Sequence, residues 1–226
     1  MSMANKAAVE GKVASVVEAQ LARVDAEGSS RHPHLAALLT ATGATASRDL
    51  ADAVHLLCAI HGRHPGLTDL ALAASPAGET RDWLRDAADA FDRERLYLVR
   101  LTSAIGPMPS TPGAMQTENA LLAQRHAIET LAKSERRGCA LGAATALIQD
   151  WRSFRPLLDH AADRSGIECP PCTLPTNDSL AAVVAAGTDG IASERALGFG
   201  AEQLLLQHRG LLDLMEARAG ARERSL

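Results

Sequence analysis

Apolar residues recur along this chain at the spacing of helix faces, and no segment alternates as a strand would. Val9, Val13, Val16, Val17, Leu21 and Val24 share one face, which predicts an amphipathic first helix from about Ala4 to Ala26. Gly28-Ser29-Ser30 ends it. A short helix is expected from Pro33 to Thr42, with Pro33 in the first turn. Ser47 is a good N-cap for the next helix, whose stripe is Leu50, Ala53, Val54, Leu57, Ile60 and His61, with Gly62 as C-cap. Thr68 opens a brief helix to Ala74.

A long helix follows from about Glu79 to Ile105, with Trp83, Leu84, Ala87, Phe91, Leu98 and Leu101 on its stripe. The stretch from Gly106 to Gly113 holds three prolines and is a loop. From Pro112 to about Arg136 the pattern is helical again, with Met115, Leu121, Leu122, Ile128 and Leu131 inward. The run Cys139 to Gln149 is apolar on every side, which predicts a central helix surrounded by others. Trp151, Phe154, Leu157 and Leu158 extend it, and Pro156 is expected to bend or restart it.

A second Pro-rich loop spans Gly166 to Asn177, and Asp178 or Ser179 caps a short helix through Ala186. The final helix covers Ile191 to Arg218, with Leu197, Leu204, Leu205, His208, Leu212 and Met215 on one face. The expected fold is all-α, a single-domain helical bundle over 1–226 of about five long helices with short connectors. The N-terminal helix within 1–30 is expected to be peripheral, and 219–226 to be a flexible tail.

Composition sharpens this picture in one respect. Of the 226 residues 46% are hydrophobic but only 3% aromatic, so the core is built from Ala, Leu and Val, which suits closely packed helices. A net charge of −4 leaves no basic footprint for nucleic acid. No secretory signal and no membrane-length apolar run is visible, and with four cysteines this points to reduced thiols in the cytoplasm.

Chemistry in a bundle needs polar side chains that project inward from facing helices. Glu94 lies near the stripe of its helix, either buried and paired or, more commonly for such a residue, at the edge beside Arg93 or Arg95. His126 and Glu129 are spaced to share one ligand or metal, and Leu122 four residues earlier draws His126 inward. Asp150 interrupts the most buried helix, and His208 is surrounded at helical spacing by Leu204, Leu205, Leu211 and Leu212. A lone histidine among these is read first as a core residue bonded to a backbone carbonyl or a carboxylate. Together, Glu94, His126, Glu129, Asp150 and His208 form the ligand inventory of a non-haem iron or manganese site. The chain has no Glu-x-x-His, however, and His126-Ala127-Ile128-Glu129 runs in the reverse order. His61 and His64 sit at a helix C-terminus, where they are expected to cap free carbonyls. Cys169-Pro170-Pro171-Cys172 has redox spacing but lies in a loop with no preceding strand.

Several segments carry a resemblance: His61-Gly62-Arg63-His64-Pro65-Gly66, Pro109-Ser110-Thr111-Pro112-Gly113, Gln124-Arg125-His126-Ala127, Arg136-Arg137-Gly138-Cys139-Ala140-Leu141-Gly142-Ala143-Ala144 and Gln207-His208-Arg209-Gly210-Leu211. Through them the chain resembles an uncharacterised all-helical family of bacterial proteins. The resemblance implies an all-helical domain, and it implies no activity and no site residue.

The leading expectation is therefore a non-enzymatic cytoplasmic bundle that binds a protein or a small ligand, without a cofactor. The small-residue helix would join it to a partner or a second copy, with no nucleic acid and no membrane involved. The alternative is a metal-dependent oxidoreductase of ferritin-like or haem-oxygenase-like bundle type, with iron or manganese held by the five acids and imidazoles. A thiol redox protein acting through Cys169 and Cys172 is the third.

Overall fold

The computed structural model describes residues 16–225, so the part of the first helix that carries Val9 and Val13 lies outside the described residues. Among the described residues there are nine α-helices and no strand, and the protein is all-α. Helix α1 covers 16–27. It is followed by α2 (Pro33–Thr40), α3 (Ala44–His61), α4 (Leu67–Ala74), α5 (Glu79–Ala104), α6 (Ala114–Ala132), α7 (Cys139–Ser165), α8 (Leu180–Gly187) and α9 (Ile191–Glu223). No helix among the described residues is long and apolar enough to cross a membrane.

The all-apolar run seen in the sequence is α7. Helices α2, α4, α5, α6 and α9 pack around it, and Thr145, Trp151, Phe154, Leu157 and Leu158 are fully enclosed. It passes through Pro156 as one continuous helix, neither broken nor restarted. Helix α9 lies along it at close range. A Cβ on Gly142 would sit 1.9 Å from the Leu197 carbonyl oxygen, so only glycine permits this crossing. The small-residue surface of α7 is thus buried inside the chain against α9, which removes the physical basis for pairing copies through it.

Among the described residues, the first and last helices are both tied to the rest of the bundle. Gln20 on α1 is buried and donates to Thr145 Oγ1 at 3.1 Å. Helix α9 runs past Ala219 to Glu223, into the span that the sequence assigns to a tail. The reason is that Arg222 turns inward and donates to Asp49 and Asp52 on α3.

Candidate functional site

The most enclosed polar cluster begins where α1 ends. Gly28 brings the chain against α7 so closely that a Cβ there would lie 2.7 Å from Asp150 Oδ1. The approach lets Ser29 donate twice to Asp150, from its backbone N–H at 2.7 Å and from its hydroxyl at 2.6 Å. His208 Nδ1 reaches the same carboxylate at 2.6 Å, and His208 Nε2 lies 3.1 Å from His61 Nε2. An unbroken hydrogen-bonded chain therefore runs from Ser29 through Asp150 and His208 to His61. Asp150 is 0% exposed, His208 1% and His61 6%, so the chain is sealed from water along most of its length.

Burial works against the Asp150 carboxylate, but the hydrogen bond from His208 and the two from Ser29 outweigh it and hold the acid below its ordinary range. His61 moves the other way for an imidazole: burial first, then the neighbouring His208 and Arg95, push it well below the ordinary value, so it is neutral. Its ring stands edge-on to Trp151 at 5.3 Å and to Phe91 at 6.1 Å. Past these aromatic walls the ring reaches open space.

That space is a cleft of about 330 Å³ between the α3–α4 turn and α6, within the usual size range of small-ligand sites. His61, Phe91 and Ile128 line it together with Arg63, His64, Arg125, Glu129 and Lys133. Three permanent cations face one carboxylate, and Glu129 is already paired with Lys133. Arg125 Nε is buried and has no hydrogen-bond partner. Leaving a guanidinium N–H unpaired in such a place is costly, which marks it as a donor that awaits an acceptor. The turn that forms the rim is pinned from below, since Asp69 accepts from the Gly66 N–H at 2.7 Å and from Arg95 Nη2 at 2.8 Å.

The five acids and imidazoles singled out in the sequence separate into three groups. Asp150 and His208 meet. Glu94 is buried rather than at the stripe edge, with Oε2 accepting from Trp151 Nε1 at 2.9 Å and Oε1 from Arg155 Nη1 at 2.6 Å. It thereby fixes the indole that walls His61, one layer behind the chain. His126 and Glu129 are exposed on α6, Glu129 at the cleft beside Lys133, and neither bonds to Asp150, His208 or Glu94. The stripe of α6 is Leu121, Ile128 and Leu131, whereas Leu122 is 49% exposed and carries His126 outward with it. The five do not converge on one point.

Two other sets of metal-ligating side chains come together, His32 with Asp213 and Glu216, and His64 with Asp69 and Asp92. The first is capped, because His32 Nδ1 accepts the His34 N–H at 3.2 Å and its Nε2 proton goes to Asp213. In the second the Arg95 guanidinium already sits between the two carboxylates.

Cys169 and Cys172 are free and exposed. Arginines clamp their loop: Arg155 donates to the Pro170 carbonyl, Arg152 to that of Leu174 at 3.1 Å, and Arg93 to Thr173 Oγ1 at 3.0 Å. Cys169 Sγ lies 3.6 Å from the Tyr97 hydroxyl, whose pKa is raised by burial and then by its bonds to Cys169 and Asp159.

Sequence reasoning missed His61 and Ser29 as partners of this cluster. His61 stands on the α3 stripe but also beside Gly62, and the expected capping role is not what it performs. The carbonyl of Cys58 is closed by the Gly62 N–H, and the imidazole turns inward.

A model of the family of unknown function DUF6975 matches residues 24–223. The chain belongs to that family. The matched segment includes Ser29, His61, Arg125, Asp150 and His208, so the whole chain of hydrogen bonds and its cleft lie within the family's domain. No curated protein and no solved structure matches it.

Proposed function

We propose that this member of DUF6975 is a binding module for a small anionic ligand, held in the cleft between the α3–α4 turn and α6. The observation that carries the reading is the unpartnered buried Nε of Arg125, in a cleft where Arg63 and Lys133 add further positive charge. An arginine offers a planar fork of donors that fits an oxyanion. His61 supplies a neutral polar contact at the base, and Phe91 and Ile128 supply apolar walls. This favours the small-ligand form of a non-enzymatic bundle over a protein-docking form. It also departs from a metal-dependent oxidoreductase, because Glu94 is neutralised by Arg155, His126 is exposed and Glu129 is paired with Lys133.

The test is calorimetric titration with inorganic oxyanions at low ionic strength. At least one of phosphate and sulfate is expected to saturate one site, and Arg125→Gln to weaken that binding by at least about tenfold, the effect of losing a charge-assisted pair. Binding that is indifferent to Arg125→Gln, or absent altogether, would refute the reading.

A further inference from the structure

We propose that the cleft takes a phosphate-type oxyanion, one that keeps an O–H group, and that the Asp150–His208–His61 chain selects it by presenting a bare acceptor nitrogen. The inference rests on the anion-binding reading above and goes further by naming what the anion must carry. It follows from counting hydrogens along the chain.

Asp150 already accepts two hydrogens from Ser29, and as a carboxylate it takes the Nδ1–H of His208 as a third. A singly protonated His208 therefore has only a lone pair at Nε2. The atom 3.1 Å away is His61 Nε2, and two lone pairs do not face each other, so His61 carries its proton there. His61 has one ring nitrogen left, Nδ1, and it is a lone pair. A group in the cleft can pair with it only by donating a hydrogen.

The rest of the lining asks for an anion, so the occupant must be negative and still hold an O–H. Near neutral pH hydrogen phosphate satisfies both conditions, and sulfate, of the same shape and charge, satisfies only the first. A site with a buried acceptor rejects the analogue that cannot donate, because the acceptor is left unpaired against an oxygen lone pair. The carboxylate of Asp150 never touches the ligand. It acts as a positioning residue through two imidazoles, on the tautomer of the last one.

Replacing the carboxylate makes this testable. In Asp150→Asn the carboxamide oxygen still accepts the Ser29 N–H, but the NH₂ donates to His208 Nδ1. His208 then carries its proton on Nε2 and donates to His61 Nε2, which moves the His61 proton to Nδ1. The cleft now presents a donor. In His61→Gln a rotatable carboxamide offers either a donor or an acceptor.

The experiment is calorimetric titration of the wild type and the two variants with phosphate and with sulfate near neutral pH, with helicity checked by circular dichroism. The wild type is expected to prefer phosphate by at least about tenfold. His61→Gln and Asp150→Asn should each bring the two anions near parity, since an Nδ1–H can pair with an oxygen of either one. If Asp150→Asn does not fold, the His61→Gln result alone decides. Equal binding of both anions by the wild type would overturn the inference and leave anion binding intact, and it is also what a doubly protonated His208 would give. A phosphate preference unchanged in His61→Gln would overturn it too. Binding of neither anion would remove both readings.

Discussion

Two buried polar networks cross this bundle, and they are built on opposite plans. At the α3–α9 end, Asp52 is enclosed by two arginines: its oxygens accept from Arg218 at 2.7 and 2.9 Å and from Arg222 at 2.7 Å. Thr111 and Thr117 take further guanidinium hydrogens, and Asp49 takes the far side of Arg222. Charge and hydrogen bonds close within the network. In the Asp150–His208–His61 chain the carboxylate faces two imidazoles in line, and the last ring lines a cleft. A closed network fixes the packing of helices, and a network with an open end leaves its last polar atom to something outside the chain.

The largest expected effect is on the closed network. Arg218→Met should destabilise the protein by about 3–5 kcal/mol, since it leaves Asp52 with an incomplete set of partners in the interior. Urea unfolding measures this, and phosphate affinity of the folded fraction should be unchanged. Loss of phosphate binding in that variant would mean that the two networks are not separate. The α7–α9 crossing supports both networks. Gly142→Ala drives a methyl group into the Leu197 carbonyl, and should cost about 1–3 kcal/mol in the same assay.

The open network is expected to show itself through pH. His61 is held neutral in the folded protein, well below its ordinary value of 6.5, whereas in the unfolded chain it protonates normally. Below that value the unfolded state binds the extra proton, so this part of the stability is present above pH 6.5 and is lost as pH falls through the folded value. Thermal melts of wild type and His61→Gln across this range should diverge, with the variant showing the shallower decline. Parallel curves would place the titration elsewhere. The smallest effect is reserved for the thiols. Cys169→Ser/Cys172→Ser should leave phosphate affinity unchanged, and a large change would bring the clamped loop into the site.

The contrast also explains what the sequence reveals. The all-α class and the central position of α7 follow from periodicity, because an apolar run with no polar face has to be surrounded. Asp150 and His208 stand out because each breaks a strong stripe. Helix α6 misleads because its alanines leave the phase of the stripe open, so Leu122 reads as core and draws His126 in with it. Glu94 reads as an edge residue because its counter-charge, Arg155, is on another helix, sixty-one positions later. His61 and Ser29 sit at helix ends, where local capping rules apply equally well to a residue that reaches across the fold. Arg125 is visible as a polar residue near the stripe. Its lack of a partner is a property of three-dimensional packing alone.

The His61 nitrogen left for the cleft is a bare acceptor, imposed from Asp150 through His208. Long-range proton–nitrogen NMR correlations of the histidine rings read it directly, in the free protein and during phosphate titration. His61 is expected to carry its proton on Nε2 and His208 on Nδ1, and the His61 Nδ1 resonance to shift as phosphate is added. A proton on His61 Nδ1 in the free protein, or a resonance that phosphate leaves unmoved, would contradict it.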